Sequence, residues 1–328
     1  MEENMIIVTG GAGFIGSAFV WKLNQEGIDN IVIVDNLYDS SKWNNLVHLR
    51  YKNYFHRDEF IKRIRENTID FNVNAIFHLG ACSATTETNM DFLMENNFHY
   101  TQTLAKWCIQ NHSYFQYASS AATYGDGSNG FDDNENELFK LKPINRYGYS
   151  KHLFDLHALQ HDWLNNIVGL KFFNVFGPNE YHKESMRSVV CKSYETVLKT
   201  KEMKLFKSYH PDYEDGGQMR DFIYVKDCIE VMWWLYQNPS VTGIFNVGTG
   251  KARTWNDVAN SLFKALNLNS NISYFDMPDN LKNQYQYFTQ ANMEKLKKAG
   301  YKNNFTSLEE SVSEYVQRYL NNPVPYLN

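Results

Sequence analysis

Short apolar runs recur at wide intervals along the chain, and each ends on small or polar residues. Met5-Ile6-Ile7-Val8 runs through Thr9 into Gly10-Gly11-Ala12-Gly13, and Ile31 to Val34 ends on Asp35. Ala75 to Leu79 ends on Gly80-Ala81-Cys82-Ser83, Tyr114 to Ala118 on Ser119-Ser120, and Ile167 to Phe173 on Asn174. Runs this short and continuous predict strands buried on both faces, as in a parallel sheet. Helical spacing lies between them: Ser17 to Leu23, a stretch near Trp43 to Leu49, Phe60 to Glu66, one long helix from Asn89 to Asn111, and Tyr147 to Trp163. Leu37 to Lys42 and Asp126 to Glu137 read as polar loops. The alternation predicts an α/β fold with a doubly wound parallel sheet and right-handed crossovers. From Phe176 the pattern loosens at Gly177-Pro178. A helix over Glu184 to Leu198, a polar loop over His210 to Gln218, and strands at Phe222 to Val225 and Ile244 to Val247 around a helix at Ile229 to Tyr236 follow. Amphipathic helices at Trp255 to Leu266 and Ser307 to Tyr319 close a smaller, interwoven α/β lobe.

Composition narrows the function. The 328 residues carry a net charge of −5 and no basic run, which argues against a nucleic-acid partner. No run approaches the ~20 apolar residues of a membrane span. The acidic start, Met1-Glu2-Glu3-Asn4, and the short apolar run after it do not read as a signal peptide, so the expected location is cytoplasmic. Cys82, Cys108, Cys191 and Cys228 are widely spaced without a C-x-x-C pair, so neither a metal site nor a disulfide framework is expected.

The first run carries the sharpest chemistry. Gly10, Gly13 and Gly16 form a G-x-x-G-x-x-G turn between a strand and a helix, where backbone N–H groups and the helix dipole meet an anion. Asp35, at the end of the next strand, stands where a carboxylate meets an adenosine ribose. The ends at Gly10, Asp35, Gly80, Ser120 and Asn174 converge on one site at the carboxyl edge of the sheet. Tyr147 and Lys151 are four residues apart on one helix face. An ammonium beside a phenol favours the phenolate, and Ser120 at a strand end can orient a substrate hydroxyl.

The glycine turn, Asp35, Ser120, Tyr147 with Lys151, and Arg220-Asp221-Phe222-Ile223-Tyr224-Val225 together resemble the extended short-chain dehydrogenase/reductase family of sugar-nucleotide enzymes. His78 to Ser83, Tyr117 to Gly125, Phe173 to Pro178, His182-Lys183-Glu184-Ser185-Met186 and Phe288-Thr289-Gln290-Ala291 resemble its ADP-L-glycero-D-manno-heptose 6-epimerase branch, from about Met5 to about Tyr319.

The resemblance implies epimerisation at C6″ of ADP-D-glycero-β-D-manno-heptose through a transient 6″-keto intermediate, in lipopolysaccharide inner-core heptose biosynthesis. The hydride is held by one tightly bound NADP per subunit, with NAD as the alternative coenzyme. It implies Tyr147 as first acid/base and Lys183 as the second, or as a phosphate ligand, with Ser120 and Lys151 assisting. Phe14, Ile15, Gly10, Gly13, Gly16, Asp35, Asn36, Lys42, Arg57, Leu79, Gly80, Ala81, Cys82, Ser83, Asn96, Lys151, Val175 and Lys183 would line the coenzyme. Ser120, Asn174, Ser185, Lys192, Phe206, Lys207, Ser208, Tyr209, Arg220 and Tyr285 would line the sugar nucleotide, Arg220 at its diphosphate unless it pairs locally with Asp221 or Asp227. Residues 1–175 plus about 222–250 would form the NADP-binding Rossmann domain, and about 176–221 with 251–328 the substrate lobe. A homo-oligomer, a pentamer by family, is implied.

The chain departs from the family at Leu79, where Glu is frequent, at Arg57, where Lys is frequent, and in a longer Tyr209 to Met219 segment. The other readings are another nucleotide-sugar epimerase such as a UDP-hexose 4-epimerase, or a catalytically idle NAD(P)-binding protein. A 4,6-dehydratase would carry an Asp-Glu pair where Ala121-Ala122 follows Ser120.

Overall fold

A computed structural model of the chain describes residues 4–282 and 285–328. The strands and helices in chain order are β1 (Met5–Thr9), α1 (Phe14–Gln25), β2 (Ile31–Asp35), β3 (Asn53–His56), α2 (Arg57–Glu66), β4 (Val73–His78), α3 (Met90–Leu93), α4 (Tyr100–Gln110), β5 (Tyr114–Ser120), α5 (Arg146–Gln160), β6 (Val168–Phe172) and β7 (Asn174–Phe176). They continue as α6 (Val189–Thr200), β8 (Met203–Phe206), β9 (Met219–Tyr224), α7 (Val225–Gln237), β10 (Gly243–Val247), β11 (Ala252–Thr254), α8 (Trp255–Ala265), β12 (Ile272–Phe275), α9 (Asp279–Lys282), α10 (Glu294–Lys298) and α11 (Leu308–Glu314).

Seven strands form one sheet in the order β10-β6-β5-β4-β1-β2-β3, parallel throughout. All five residues of β1, β2, β6 and β10 are buried, which is why these strands read as continuous apolar runs rather than alternating ones. The order reverses between β1 and β4. A crevice opens there beyond the strands' carboxyl ends. The expected doubly wound sheet is therefore present. A three-stranded sheet (β11-β9-β7) and a parallel pair (β12-β8) make up the smaller β elements.

Several local expectations need correction. The long helix is continuous from Met90 to Gln110 but widens into a π turn over Met94–His99. The single helix over Glu184 to Leu198 is instead a 3₁₀ segment, Tyr181–Met186, and then α6. Glu184 breaks the helical path at φ 47°, ψ −116°, and Ser188 starts α6 afresh by capping the Cys191 N–H. Lys42, assigned to a loop, belongs to a 3₁₀ segment, Ser41–Leu46. The five short strands β3, β7, β8, β11 and β12 went unread. Each has only three or four residues, and none is buried throughout.

Candidate active site

The crevice between β1 and β4 is a cleft of about 510 Å³. Its floor is the glycine turn. Gly10 has φ +67°, and a Cβ on it would lie 2.6 Å from the Gly80 nitrogen. A Cβ on Gly16 would lie 2.0 Å from the Gly10 carbonyl oxygen. Only glycine permits this closeness of β1, α1 and the β4 end. Gly13 stands at the N-cap of α1 with no side-chain cap and no acidic residue in the first turn. The N-terminal N–H groups and the dipole of a twelve-residue helix thus face the cleft without a side chain to satisfy them, a fit for a dinucleotide pyrophosphate.

Asp35 at the end of β2 is bound on both oxygens. Oδ2 accepts the Ala12 N–H at 2.9 Å, and Oδ1 accepts the Asn36 N–H at 2.7 Å and the Lys42 ammonium at 2.6 Å. Arg57 reaches the same end of the cleft and donates to Asn96 Oδ1 at 2.6 Å. Sixteen of the residues expected along the coenzyme gather here: Gly10, Gly13, Phe14, Ile15, Gly16, Asp35, Asn36, Lys42, Arg57, Leu79, Gly80, Ala81, Cys82, Ser83, Asn96 and Lys183.

Tyr147, Ser120 and Lys151 lie beside the cleft. Asn145 caps α5 through the Gly148 N–H at 2.7 Å, which sets the first turn of the helix against the end of β5. The Ser120 hydroxyl faces the Tyr147 phenol: burial holds the phenol above its usual range, and Ser120 opposes the rise. Lys151 is buried and donates to the Ala118 carbonyl at 2.8 Å. Burial pushes its ammonium down to about 8, opposed by Asp155 and Cys82. Cys82 in turn is pinned by Asn97, whose carboxamide accepts its N–H at 2.9 Å and donates to its carbonyl at 3.0 Å.

Lys183 enters the cleft from the Tyr181–Met186 segment, its Nζ 5.6 Å from the centre of the Phe14 ring. Burial lowers its affinity for a proton and Glu180 opposes this. His182 beside it is driven down to about 4 by burial, then by Lys183 and Lys42. The segment is tied down from several sides. Asn45 donates to the carbonyls of Ala12 and Asn179 at 2.9 and 3.1 Å. Asn179 accepts the Leu327 N–H at 3.1 Å, and Tyr181 donates to the Pro325 carbonyl at 2.7 Å.

The substrate-side residues are more dispersed. Arg220 is buried with its guanidinium 5.2 Å over Tyr285, and among the described residues it has no carboxylate partner. The local ion pair is therefore not formed. Asp221 accepts instead from Thr249, Gly250 and Ala291, and Asp227 from Thr306. Phe206 packs on Phe275 with ring centres 4.8 Å apart and lies 6.4 Å from Tyr285. Lys207 and Tyr209 both bind Asp276, and the Ser208 N–H binds Asp215. Lys192 is exposed and donates to the Ser185 carbonyl at 3.3 Å; Asn174 and Ser185 are exposed. Val175 lies in β7 outside the lining of the cleft. Sequence reasoning missed Thr9, Phe92, Tyr100 and Met186 in that lining, and Asn97 behind it. A polar residue inside a long helical pattern, as Asn97 is, was the one available signal.

The description "NAD dependent epimerase/dehydratase family" fits residues 6–248. The chain belongs to that family. Among members of the epimerase/dehydratase family, it is 58% identical over 323 residues to an ADP-L-glycero-D-manno-heptose-6-epimerase of Nitratidesulfovibrio vulgaris, covering 98% of this chain and all of the relative. It is 47% identical to a protein of the same name from Fusobacterium nucleatum, with the same coverage. The crystal structure of the Helicobacter pylori ADP-L-glycero-D-manno-heptose-6-epimerase superposes with a TM-score of 0.77 at 28% identity, over 97% of this chain and 96% of that one. A UDP-N-acetylglucosamine 4-epimerase from Methanobrevibacter ruminantium superposes at 0.80 with 25% identity, over 98% and 99%. Among the described residues no helix is long and apolar enough to cross a membrane, and no cluster of three metal-ligating side chains occurs.

Proposed function

We propose that this epimerase/dehydratase-family protein inverts C6″ of ADP-D-glycero-β-D-manno-heptose to give the L-glycero epimer, through a transient 6″-carbonyl. The observation that carries the reading is whole-length identity of 58% to a relative of that name, joined to a dinucleotide cleft with Tyr147, Ser120 and Lys151 at its side. NADP would be held by the glycine turn, Asp35, Lys42 and Arg57, and would supply a reversible hydride acceptor for C6″. Tyr147 takes the C6″ hydroxyl proton as the carbonyl forms, and Lys183 gives a proton to that oxygen when the hydride returns to the other face; exchange with solvent resets both groups. Ser120, facing that phenol, orients the reacting hydroxyl. Lys151 holds a positive charge beside the phenol and favours its ionised form. Lys183, on a separate segment, acts as the second acid/base; a lysine whose proton affinity burial has lowered suits that task. Arg220, without a carboxylate partner, is free for the diphosphate.

NADP is favoured over NAD by the state of Asp35. Its charge is already met by Lys42 and two backbone N–H groups, so a 2′-phosphate finds two cations, Lys42 and Arg57, rather than a bare carboxylate. The working division is 1–175 plus about 222–250 for the coenzyme and about 176–221 with 251–328 for the substrate, in a cytoplasmic homo-oligomer. The test is NMR of ADP-D-glycero-β-D-manno-heptose incubated with purified protein and no added coenzyme. Conversion to the L-glycero epimer is expected. No conversion, even with added NADP or NAD, would reject the heptose reading and turn the search to UDP-hexoses.

A further inference from the structure

Behind the Tyr147–Ser120 pair lie two full charges that none of these steps uses. Asp155 and Lys171 are wholly buried, with Nζ 2.7 Å from Oδ2. Asp155 lies one helical turn beyond Lys151 on α5, and Lys171 lies in β6 directly opposite Ser119 of β5. Asp155 Oδ1 accepts the Tyr117 hydroxyl at 2.9 Å, and Oδ2 accepts the Ser119 hydroxyl at 2.8 Å. Lys171 donates to the Thr123 hydroxyl at 2.6 Å, and Thr123 donates to the Ser120 carbonyl at 2.8 Å. The sheet makes room for this node. Gly169 pairs with Tyr117 across β5 and β6, and a Cβ there would lie 2.5 Å from the phenol oxygen. A buried ion pair is on average no more stabilising than apolar packing of the same volume. Its bonds instead run to the strand end and the helix that carry the reacting groups.

We propose that Asp155, with Lys171 as its counter-ion, is a positioning residue for the reaction: it fixes the end of β5 that bears Ser120 and supplies the negative charge that keeps Lys151 an ammonium. The inference rests on the roles assigned above to Tyr147 and Lys151. Lys151 is faced by Asp155 from its own helix and by Cys82 and His78 from the end of β4. Asp155 is faced by Lys171, Tyr117 and Ser119 from the two strands and by His152 from its own helix. Asp155 is the carboxylate that opposes the burial-driven loss of the Lys151 proton.

The experiment follows kcat and KM against pH for the purified protein with its bound coenzyme. It compares wild type, Asp155→Asn, and the double variant Asp155→Asn/Lys171→Met, which leaves no unpaired charge inside. In both variants kcat near neutral pH falls by about tenfold or more while KM stays within about twofold. The alkaline limb of the kcat profile moves to lower pH by roughly half a unit or more, because Lys151 loses its proton sooner. A limb that stays in place, or a loss uniform across pH, overturns the proposal and leaves the pair a part of the core. Failure of both variants to fold overturns it as well. Lys151→Met separates this from the reading beneath it. If Lys151→Met is active, the acid/base assignment falls; if it is inactive while the Asp155 limb stays put, only the Asp155 inference falls.

Discussion

Lys42 offers a test of coenzyme choice that is independent of the sugar. Its ammonium lies 2.6 Å from Asp35 Oδ1, with Asp35 almost buried and Lys42 partly so. Replacing it in Lys42→Met leaves the Asp35 carboxylate with only its two N–H donors and removes one of the two cations at that end of the cleft. A hydrogen bond to a charged group is worth about 1.5–3 kcal/mol. At about 1.4 kcal/mol per tenfold, loss of the contact to a 2′-phosphate raises the NADP dissociation constant about 10- to 100-fold. Renewed repulsion from Asp35 adds to this. NAD gains an open acceptor position on Asp35 Oδ1 for its ribose hydroxyl, so its affinity holds or improves. Fold stability changes by no more than about 1 kcal/mol, because the pair is partly solvated. The assay is titration of coenzyme-stripped protein with NADP and with NAD, by protein fluorescence or calorimetry. Equal weakening of both coenzymes, or an unchanged NADP affinity, would refute the reasoning.

Three further outcomes are expected. Tyr147→Phe lowers turnover of the ADP-heptose by at least about 10²-fold while the protein still retains coenzyme, read by product NMR and by the absorbance of released coenzyme. Lys183→Met lowers kcat if the lysine is an acid/base; a rise confined to KM would assign it to phosphate binding instead. Asp133 is a pH probe of the core. Burial raises its carboxyl from 3.8 to about 6, so its contribution is full below the unfolded value and is lost as pH rises through about 6. Asp133→Asn, which keeps an acceptor for the Asn246 N–H, should therefore stabilise the fold above pH 6 by up to about 3 kcal/mol. It should do little near pH 4. Thermal melts at pH 8 and pH 4 read the difference, and equal melting temperatures of variant and wild type at pH 8 would contradict it.

The part of the site legible in the sequence is the part built from neighbours in the chain. The β1–turn–α1 unit, Asp35 at the end of β2, and the Gly80 to Ser83 strand end follow from short-range patterns, and all meet in one cleft. The Tyr147–Lys151 spacing is equally local. What was not legible depends on distant pairing. Lys171 lay inside an apolar run and gave no hint of its charge's partner, because Asp155 belongs to a different element and meets it only once α5 packs on β5 and β6. The unbroken helix expected from Glu184 failed because helical spacing does not register a backbone reversal at a single residue. β7, β8 and β12 are short, and they become strands only because a partner strand supplies hydrogen bonds.

Residues Pro325 and Leu327 are held by Tyr181 and Asn179, on either side of which the chain leads to the turn at Gly177 and to Lys183. The tail therefore works as a mooring line for Lys183, some 140 positions earlier. Trimming the last four residues would remove both ties, and the bond from Trp21 of α1 to the Asn328 carbonyl, and so slacken the wall of the cleft that carries Lys183. On the role proposed for Lys183, a chain shortened in this way would lose turnover through that lysine, while the Tyr147 side keeps its own anchors at Asn145 and Ala118.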